Sequence, residues 1–199
     1  AYDKLPRGLR RGIGHIAEKM PAHRGRNFLV RKGKDLEERF IGNAYMFTPE
    51  ERKALLKIRT NAPDPMAITK PFYDKVQDQD DVTKMQYLDL HMWMAGDILL
   101  KADKMSMANS LELRVPFLDK KVMELAEQIP TRYRVTREAV TDEKTPYITK
   151  YAMRLAAKKD TPPQTAKTAA KKKLGFPVPI RVWLKEEKYY SIVRERFES

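Results

Sequence analysis

The chain has 199 residues, a formal net charge of +13 and no cysteine, and 42% of its residues are hydrophobic while 34% are charged. This balance excludes a disordered tail and predicts a soluble globular domain, or the larger part of one, and the lack of cysteine excludes a disulfide framework and thiolate catalysis. No apolar run is long enough to span a bilayer, and the composition fits the reducing cytoplasm, which is the predicted location.

The strong positive charge is open to four explanations. A basic surface can bind nucleic acid, an anionic membrane or a phosphate-bearing substrate. It can also complement an acidic domain of the same protein. Composition alone does not choose between these explanations.

The N-terminal residues predict one helix followed by a loop. Apolar residues recur at helical spacing between Pro6 and Pro21, which predicts a short amphipathic helix there. Within this helix, Gly12 and Gly14 do not make a phosphate-binding loop, because a third glycine and a preceding strand are missing. Residues 24–34 are rich in Arg and Lys and predict a solvated basic loop.

The next two helical segments are marked by their ends. Residues 36–43 predict a helical turn that stops at Gly42. Thr48 predicts the N-cap of a clearer helix, with Pro49 at the first helical position and Glu51 completing a capping box. The residues predicted to face inward are Ala54, Leu55 and Ile58, and the predicted breakers are Asn61, Pro63 and Pro65.

An acidic cluster, Asp78, Asp80 and Asp81, has two explanations. Carboxylates are hard oxygen ligands that suit Mg²⁺, but Asp81 can instead cap the helix that follows at once. We favour the cap, because apolar residues keep helical spacing from Val82 to Leu99.

The segment from Asp97 to Asp119 combines regular patterning with charge. Its first half continues the helical spacing, and Gly96 just before it is a predicted kink. Its second half alternates apolar and charged residues from Leu111 to Val115, as an extended segment does, and Pro116 excludes a helix there. The charged residues of the segment are Lys101, Asp103, Lys104, Glu112 and Arg114. By pattern alone they are the solvated faces of a helix and a strand.

The rest of the chain predicts further helices separated by loops. A helix runs from Asp119 to Pro130, residues 131–144 form a polar loop, and Thr145–Pro146 begins another helix. Pro179 starts a last helix. The residues that mark these two helices are Ile148, Ala152, Leu155 and Ala156 for the first, and Ile180, Trp183, Leu184 and Val193 on the buried face of the second. The fold class predicted for the whole sequence is mostly α.

Three stretches resemble the synthetase domain of glutamine-dependent asparagine synthetases. The longest, Asp97–Asp119, is nearly gap-free, and Leu36–Ala44 and Lys171–Trp183 lie on either side in the family's order. The resemblance implies the helical C-terminal portion of an adenine-nucleotide α-hydrolase-like (ATP-pyrophosphatase) synthetase domain. It also implies an ATP-dependent ligase that converts aspartate to asparagine through β-aspartyl-AMP, with ammonia taken from glutamine.

The resemblance assigns a catalytic role to one lysine of the run 171–173. Family members carry a basic–x–Lys–x–x–Phe pattern in a mobile loop over the ATP site, which matches Lys171, Lys173 and Phe176. The family's frequent first arginine is a lysine here. By pattern alone these lysines would only favour a helix dipole. The resemblance implies that Lys173 is catalytic, because a fixed ammonium stabilises the negative charge that builds on the reacting oxygens.

Four further residues match charged positions of the family motif. Lys101, Asp103 and Arg114 are expected to position the loop and the nucleotide through buried charge-assisted hydrogen bonds. Glu112 is expected to orient Arg114, and an acid–base role for it ranks lower because nothing in the sequence perturbs it. No residue is assigned as a metal ligand.

Two family motifs and one domain do not occur in the sequence. The Ser-Gly-Gly-x-Asp-Ser loop, the Gly-Glu-Gly-x-Asp-Glu stretch and the glutaminase domain with its N-terminal cysteine are absent. We therefore expect residues 1–199 to be a single helical fragment that is inactive alone, with ATP and Mg²⁺ bound mainly outside this chain. The expected partners are aspartate, ATP, ammonia or glutamine, the protein's own N-terminal domains, and a second copy in a homodimer.

Two other functions stay open at this point. Relatives that build β-lactams or cyclise peptides share the domain and the lysine, although the Leu36–Ala44 stretch favours the asparagine-forming branch. A non-enzymatic basic helical domain that binds nucleic acid would explain the charge. However, no helix-turn-helix, zinc-finger or RNA-recognition signature occurs, and aromatic residues do not interleave with the basic clusters. We therefore expect neither a nucleic-acid nor a membrane partner.

Overall fold

The structure is a computed structural model that describes residues 2–21, 23, 25–42, 47–58, 61–137, 147–171 and 179–198. Helices account for 69% of the described residues, which confirms the prediction of a mostly α chain. The chain divides into two compact units, residues 1–131 and 132–199. Across the described ranges, every helix is too short or too polar to cross a membrane.

The first unit is a series of helices with two short 3-10 turns, at Tyr2–Lys4 and Pro116–Leu118. Its elements are α1 (Arg7–Lys19), α2 (Arg26–Gly33), α3 (Leu36–Arg39), α4 (Pro49–Leu55), α5 (Pro65–Asp74), α6 (Asp81–Asp89), a π-helix (Leu90–Leu99), α7 (Leu100–Met107) and α8 (Lys120–Glu127). A short helix, α9 (Thr131–Arg134), begins at the last residue of this unit.

Among its described residues, the second unit contains most of α9, two short paired strands and four further helices. Strands β1 (Val135–Thr136) and β2 (Ile148–Thr149) pair antiparallel, with Val135 opposite Thr149. The helices are α10 (Tyr151–Asp160), α11 (Pro163–Ala169), α12 (Ile180–Trp183) and α13 (Glu187–Glu198). Helices α10 and α11 pack against each other.

Two glycines set how closely α1 and α2 approach each other. The predicted helix between the prolines is confirmed as α1, and its buried residues are Gly14 and Ala17. A Cβ built on Gly14 would lie 2.9 Å from the Cα of Gly33 on α2, and one built on Gly33 would lie 2.7 Å from the Cα of Gly14. Only glycine at both positions permits this approach, so Gly14 serves packing, in agreement with its exclusion as a phosphate loop.

The prediction of a basic loop over residues 24–34 is wrong, because residues 26–33 form α2. Their positive charge indicated solvent exposure, but α1 gives α2 a surface to pack on. The guanidinium of Arg26 donates hydrogen bonds to the carbonyl oxygens of Ala17 and Glu18, at 3.0 and 2.9 Å. Arg26 therefore binds two carbonyls in the last turn of α1, and the carbonyl of Ala17 also accepts a 3.2 Å bond from the N–H of Met20.

Ion pairs tie α1 to the start of α3. The carboxylates of Asp35 and Glu38 form a capping box on α3, and they also contact Arg7 and Arg11 of α1, respectively. A helical turn is confirmed within the predicted range 36–43 as α3, but it ends at Arg39 rather than at Gly42. Gly42 adopts a positive φ of 106°, which glycine tolerates best.

The buried centre of the first unit lies between α3, α5 and α6. Tyr73 and Leu88 are each 1% exposed. The hydroxyl of Tyr73 donates a 2.6 Å hydrogen bond to the carbonyl of Phe40. Burial, assisted by the carboxylates of Glu37, Asp89 and Asp81, raises the pKa of Tyr73 to about 12, so this hydroxyl keeps its proton and its bond.

Helix α5 was not predicted, because Pro63 and Pro65 were interpreted as breakers. In the structure Pro65 occupies the first helical turn, where its missing N–H costs nothing. The carboxylate of Asp64 caps this helix by accepting a 2.8 Å bond from the N–H of Met66. The same residues that ended one predicted helix thus begin another.

The acidic cluster at 78–81 caps a helix, as favoured, but through a different residue from the one predicted. Asp80, not Asp81, is the N-cap of α6, and its carboxylate accepts bonds from the backbone N–H groups of Val82 and Thr83, at 2.9 and 3.2 Å. It also accepts 2.8 Å bonds from the hydroxyls of Thr83 and Thr131. Partial desolvation alone would raise the pKa of Asp80, but these bonds outweigh it and lower the pKa to about 2.

Several predicted buried faces are exposed. The α4 capping box of Thr48, Pro49 and Glu51 is confirmed, yet Leu55 and Ile58 of that region are 64% and 77% exposed. The last helix begins after Pro179 as predicted, but it is divided into α12 and α13. The large residues predicted to be buried there are exposed: Ile180, Trp183, Leu184 and Val193. Helical spacing predicts which side of a helix is apolar, but it does not predict whether another part of the chain covers that side.

The second unit departs from prediction near its start. The polar loop predicted over 131–144 begins instead with α9 and β1, and Ile148 lies on β2 rather than on a helix. The helix itself is confirmed from Tyr151 onward. The proposed cap at Thr145–Pro146 falls outside the residues that the structure describes.

The glycine contact predicts opposite effects for two substitutions in α1. Gly14→Ala places a methyl group against backbone and should lower the free energy of unfolding by about 1–3 kcal/mol. Gly12→Ala, where a Cβ meets nothing within 4 Å, should raise it by about 0.5–1 kcal/mol. Urea unfolding followed by circular dichroism measures both free energies. Equal effects at the two positions would contradict the close approach of Gly14 to Gly33.

The Asp80 cap predicts a specific loss of stability in acid. Its pKa in the folded state lies below the ordinary 3.8, so its contribution is present above about pH 4 and is lost as the pH falls towards 2. Asp80→Asn keeps a capping acceptor and should flatten this part of the pH profile of urea unfolding.

Thr131→Val provides the matched control, because it keeps the Asp80 carboxylate and removes one of its hydrogen bonds. Removing that bond should move the folded-state pKa of Asp80 back towards its ordinary value, so the acid loss should be smaller than in the unsubstituted chain and complete at a higher pH. An Asp80→Asn profile that parallels the unsubstituted profile down to pH 2 would show that the cap does not titrate as described.

Candidate functional site

One continuous helical run carries the first group of candidate residues. Helix α6, the π-helix and α7 follow one another without interruption from Asp81 to Met107. Gly96, predicted to kink or divide the helix, lies inside the π-helix. Lys101 and Asp103 lie on α7. The directions of their side chains therefore depend on where α6 begins and on the π-helix that joins α6 to α7.

Lys101 is paired with an acid from the preceding turn. Its Nζ lies 3.5 Å from Oδ1 of Asp97, and Oδ2 of Asp97 accepts a 3.0 Å hydrogen bond from the indole N–H of Trp93. Neither Asp97 nor Trp93 was among the predicted site residues. The sequence did contain a signal for this contact: Trp93 lies four residues before Asp97 and Lys101 four residues after it, and residues four apart share a helix face.

Helix α7 ends in a tight turn that redirects the chain. The N–H of Leu111 donates to the carbonyl of Ser106 at 2.9 Å, and Ser110 has a φ of 55°. Residues 111–115 then form neither helix nor strand. The predicted end of the helix is confirmed, while the alternating segment pairs with no strand among the described residues.

Glu112 and Arg114 contact each other on this segment. Their side chains form an ion pair, which is the contact expected if Glu112 orients Arg114. They are 73% and 82% exposed, respectively.

The segment leads to Asp119, whose carboxylate caps α8 by accepting a 2.9 Å bond from the N–H of Lys121. This confirms the predicted start of the helix.

The four predicted supporting residues are all at the surface. Lys101 is 60% exposed, and Asp103 is likewise exposed. No hydrogen bond or ion pair between described residues joins the pair on α7 to the pair at 112 and 114. The first unit therefore does not bury these charges, and their role in positioning a nucleotide stays a prediction.

The predicted catalytic residue, Lys173, lies outside the described residues, as does Phe176. The structure does describe Lys171 beside them. Arg154 of α10 donates from Nε to the carbonyl of Thr149 at 3.0 Å and from Nη1 to the carbonyl of Lys171 at 3.2 Å. It also contacts the carbonyl of Ala169 at the end of α11.

Sequence reasoning missed Arg154, since nothing in the pattern of α10 distinguishes it from other exposed arginines. A guanidinium that binds several carbonyls can hold a helix end in one geometry. In the second unit, Arg154 therefore holds the backbone of Ala169 and Lys171 at the end of α11.

No group of three acidic or histidine side chains suited to a metal ion occurs within the described ranges. In the 78–81 cluster the Asp80 carboxylate is engaged by the α6 cap. We assign no metal ligand to these residues.

The comparisons with known proteins agree with the motif positions. A model of the family described as asparagine synthase matches residues 7–199. The chain belongs to the asparagine synthase family. The match includes all the candidate residues, from Lys101 to Lys173.

Named relatives cover nearly all of this chain. It is 46% identical over 187 residues, 94% of the chain, to "Asparagine synthetase (glutamine-hydrolyzing) 1" of Bacillus subtilis (strain 168). It is 41% identical over 185 residues, 92% of the chain, to "Putative asparagine synthetase (glutamine-hydrolyzing)" of Mycobacterium tuberculosis (strain ATCC 25618 / H37Rv).

The chain spans only part of these asparagine synthase family members, 28% of the B. subtilis protein and 26% of the M. tuberculosis protein. No solved structure matches the chain significantly.

The exposure of the candidate residues predicts that they contribute little to folding. Lys101→Met, Glu112→Gln and Arg114→Met should each change the free energy of unfolding by less than about 1 kcal/mol, because exposed ion pairs stabilise weakly. Leu88→Ala, at a position that is 1% exposed, should lower it by about 2–5 kcal/mol. Urea unfolding of the purified chain gives both numbers. A loss above 2 kcal/mol at Arg114 would contradict the surface position.

Proposed function

We propose that residues 1–199 form the helical C-terminal part of the synthetase domain of a glutamine-hydrolysing asparagine synthetase, with the adenine-nucleotide α-hydrolase-like fold. The observation that carries the proposal is the family match over residues 7–199, which includes every candidate residue. The glutamine-hydrolysing names of the relatives support glutamine as the source of ammonia.

The proposed reaction has two steps. The β-carboxylate of aspartate attacks the α-phosphorus of ATP, forming β-aspartyl-AMP and releasing pyrophosphate. Ammonia then attacks the acyl carbon, the bond to AMP breaks, and the nitrogen loses a proton as asparagine forms. Negative charge builds on the phosphoryl oxygens in the first step and on the carbonyl oxygen in the second.

Lys173 is the proposed catalytic residue for both steps. An ammonium beside the phosphoryl and acyl oxygens stabilises each developing charge, and a single well-placed donor typically lowers a barrier by about 3–4 kcal/mol. A lysine suits this task because it is a compact charge on a flexible stem and can follow the reacting centre.

The charged pairs of the first unit are proposed to support the nucleotide site. Lys101 and Asp103 on α7, and Arg114 oriented by Glu112, present their charges outward. Outward-facing charges remain available to the rest of a synthetase domain and to ATP. In that setting they would be desolvated, where charge-assisted hydrogen bonds are strongest.

The proposed partners follow from the same reaction. Aspartate, ATP and ammonia from glutamine are the proposed substrates, and Mg²⁺ is held mainly by residues outside this chain. The proposed location is the cytoplasm, because residues 1–199 contain no cysteine that would need an oxidising compartment. Assembly as a homodimer is part of the same proposal. The family match does not favour the β-lactam, cyclase or nucleic-acid alternatives.

The experiment that tests the function is pyrophosphate release by the full-length synthetase with aspartate, ATP, Mg²⁺ and ammonia. We expect aspartate-dependent release, and we expect Lys173→Ala to reduce it about 100- to 1,000-fold. Lys167→Ala on α11 is the control, a nearby surface lysine outside the family pattern. The 199-residue chain alone should release none.

The outcomes separate the parts of the proposal. Release that depends on aspartate but survives Lys173→Ala keeps the activity and removes the catalytic assignment. Release that does not depend on aspartate, tested in parallel with other carboxylic acids, contradicts asparagine formation.

A further inference from the structure

We propose that Asp97 is a positioning residue that holds the ammonium of Lys101 in place for the nucleotide, and that Trp93 in turn holds Asp97. The inference rests on the proposed function, because it concerns the same nucleotide site. Asp97 is thereby added to the residues that act in adenylation, and it acts through Lys101 rather than by touching the substrate.

The carboxylate of Asp97 uses its two oxygens for two different partners. Oδ2 accepts the hydrogen bond from the indole N–H of Trp93, and Oδ1 faces Nζ of Lys101. Because the first bond fixes the orientation of the carboxylate plane, the second oxygen is presented in one direction, along the helix towards Lys101.

Trp93 is suited to anchor this arrangement. Its side chain is half-buried, so its ring has few alternative positions, and its N–H is a donor that requires an acceptor. Asp97 and Lys101, by contrast, are 50% and 60% exposed. A half-buried aromatic group thus holds the Asp97 carboxylate, and that carboxylate in turn holds the exposed ammonium of Lys101.

The π-helix gives the contact its geometry. Trp93 and Asp97 lie in the π-helix, whose hydrogen bonds span five residues, whereas Lys101 lies in the first turn of α7. The contact of Asp97 with Lys101 therefore crosses the point where the wider helix returns to α geometry. π-Helical geometry is rare in proteins, and where it occurs it is frequently at a functional site.

The chain offers a matched comparison elsewhere in the first unit. On α5, Asp74 also receives two partners, Lys70 four residues before it and Gln77 three residues after it. That pair has the same spacing and similar exposure, but it is not next to a candidate residue. Loss of Asp74 removes a surface ion pair of the same kind without touching Lys101.

The test measures the steady-state kinetics of aspartate-dependent pyrophosphate release in the full-length synthetase. Asp97→Asn keeps an acceptor for Trp93 and removes the charge that holds Lys101. We expect the KM for ATP to rise about two- to fivefold, the range set by a single exposed ion pair, with kcat changed less. Trp93→Phe should move the KM in the same direction, Asp97→Glu should restore part of it, and Asp74→Asn should leave it unchanged.

A second measurement reports the contact without using activity. In the full-length synthetase carrying ¹⁵N-labelled tryptophan, the indole N–H resonance of Trp93, assigned by its loss in Trp93→Phe, should shift in Asp97→Ala and stay in place in Asp74→Ala. An indole resonance that does not respond to Asp97 overturns the contact.

The two proposals fail in distinguishable ways. A wild-type enzyme without aspartate-dependent release overturns the proposed function, and with it the role of Asp97 in adenylation. An active enzyme whose KM for ATP is the same in Asp97→Asn as in Asp74→Asn overturns the positioning role alone. A fall in kcat with an unchanged KM does so as well.

Discussion

The carboxylate of Asp80 determines where the helical run that carries the candidate site begins. It satisfies backbone N–H groups in the first turn of α6 and binds the hydroxyl of Thr131, which is distant in sequence. In a continuous helix each residue adds a fixed rise and rotation, so a fixed first residue sets the position along the axis and the direction of every later side chain. Trp93, Asp97 and Lys101 lie along that run. The position of the charges near its far end thus depends on hydrogen bonds made well away from them.

Local chemistry made some of the fold predictable. The cap at Thr48 and the cap at Asp119 were identified from the sequence, because each is formed by residues within one turn of the helix it starts. Helix α2 was missed for the opposite reason. Its composition is that of a solvated loop, and the close approach of Gly14 and Gly33 that supports it joins two separate helices. No pattern within either segment contains that information.

The candidate site also has some features that the sequence predicts and others that depend on tertiary structure. Lys101 and Arg114 were found by resemblance to a family motif, and the four-residue spacing of Trp93, Asp97 and Lys101 was present in the sequence. The π-helix that carries Trp93 and Asp97 required coordinates, because periodicity at 3.6 residues does not predict it. The inward faces predicted from spacing were wrong at Leu55 and Ile58, which are exposed. Spacing specifies the side of a helix that needs cover. Whether the covering surface belongs to the same chain depends on tertiary structure, and these residues are available to the remainder of the proposed synthetase domain.

The contact between Gly14 and Gly33 limits how the two helices can change over evolution. A large residue in an ordinary core can be accommodated by a smaller neighbour, but no side chain is smaller than that of glycine. Enlargement at either position has no compensating substitution at the other, so α1 and α2 would have to move apart. That movement would draw Arg7 and Arg11 away from the carboxylates at the start of α3. Two residues without side chains thereby constrain the divergence of three helices.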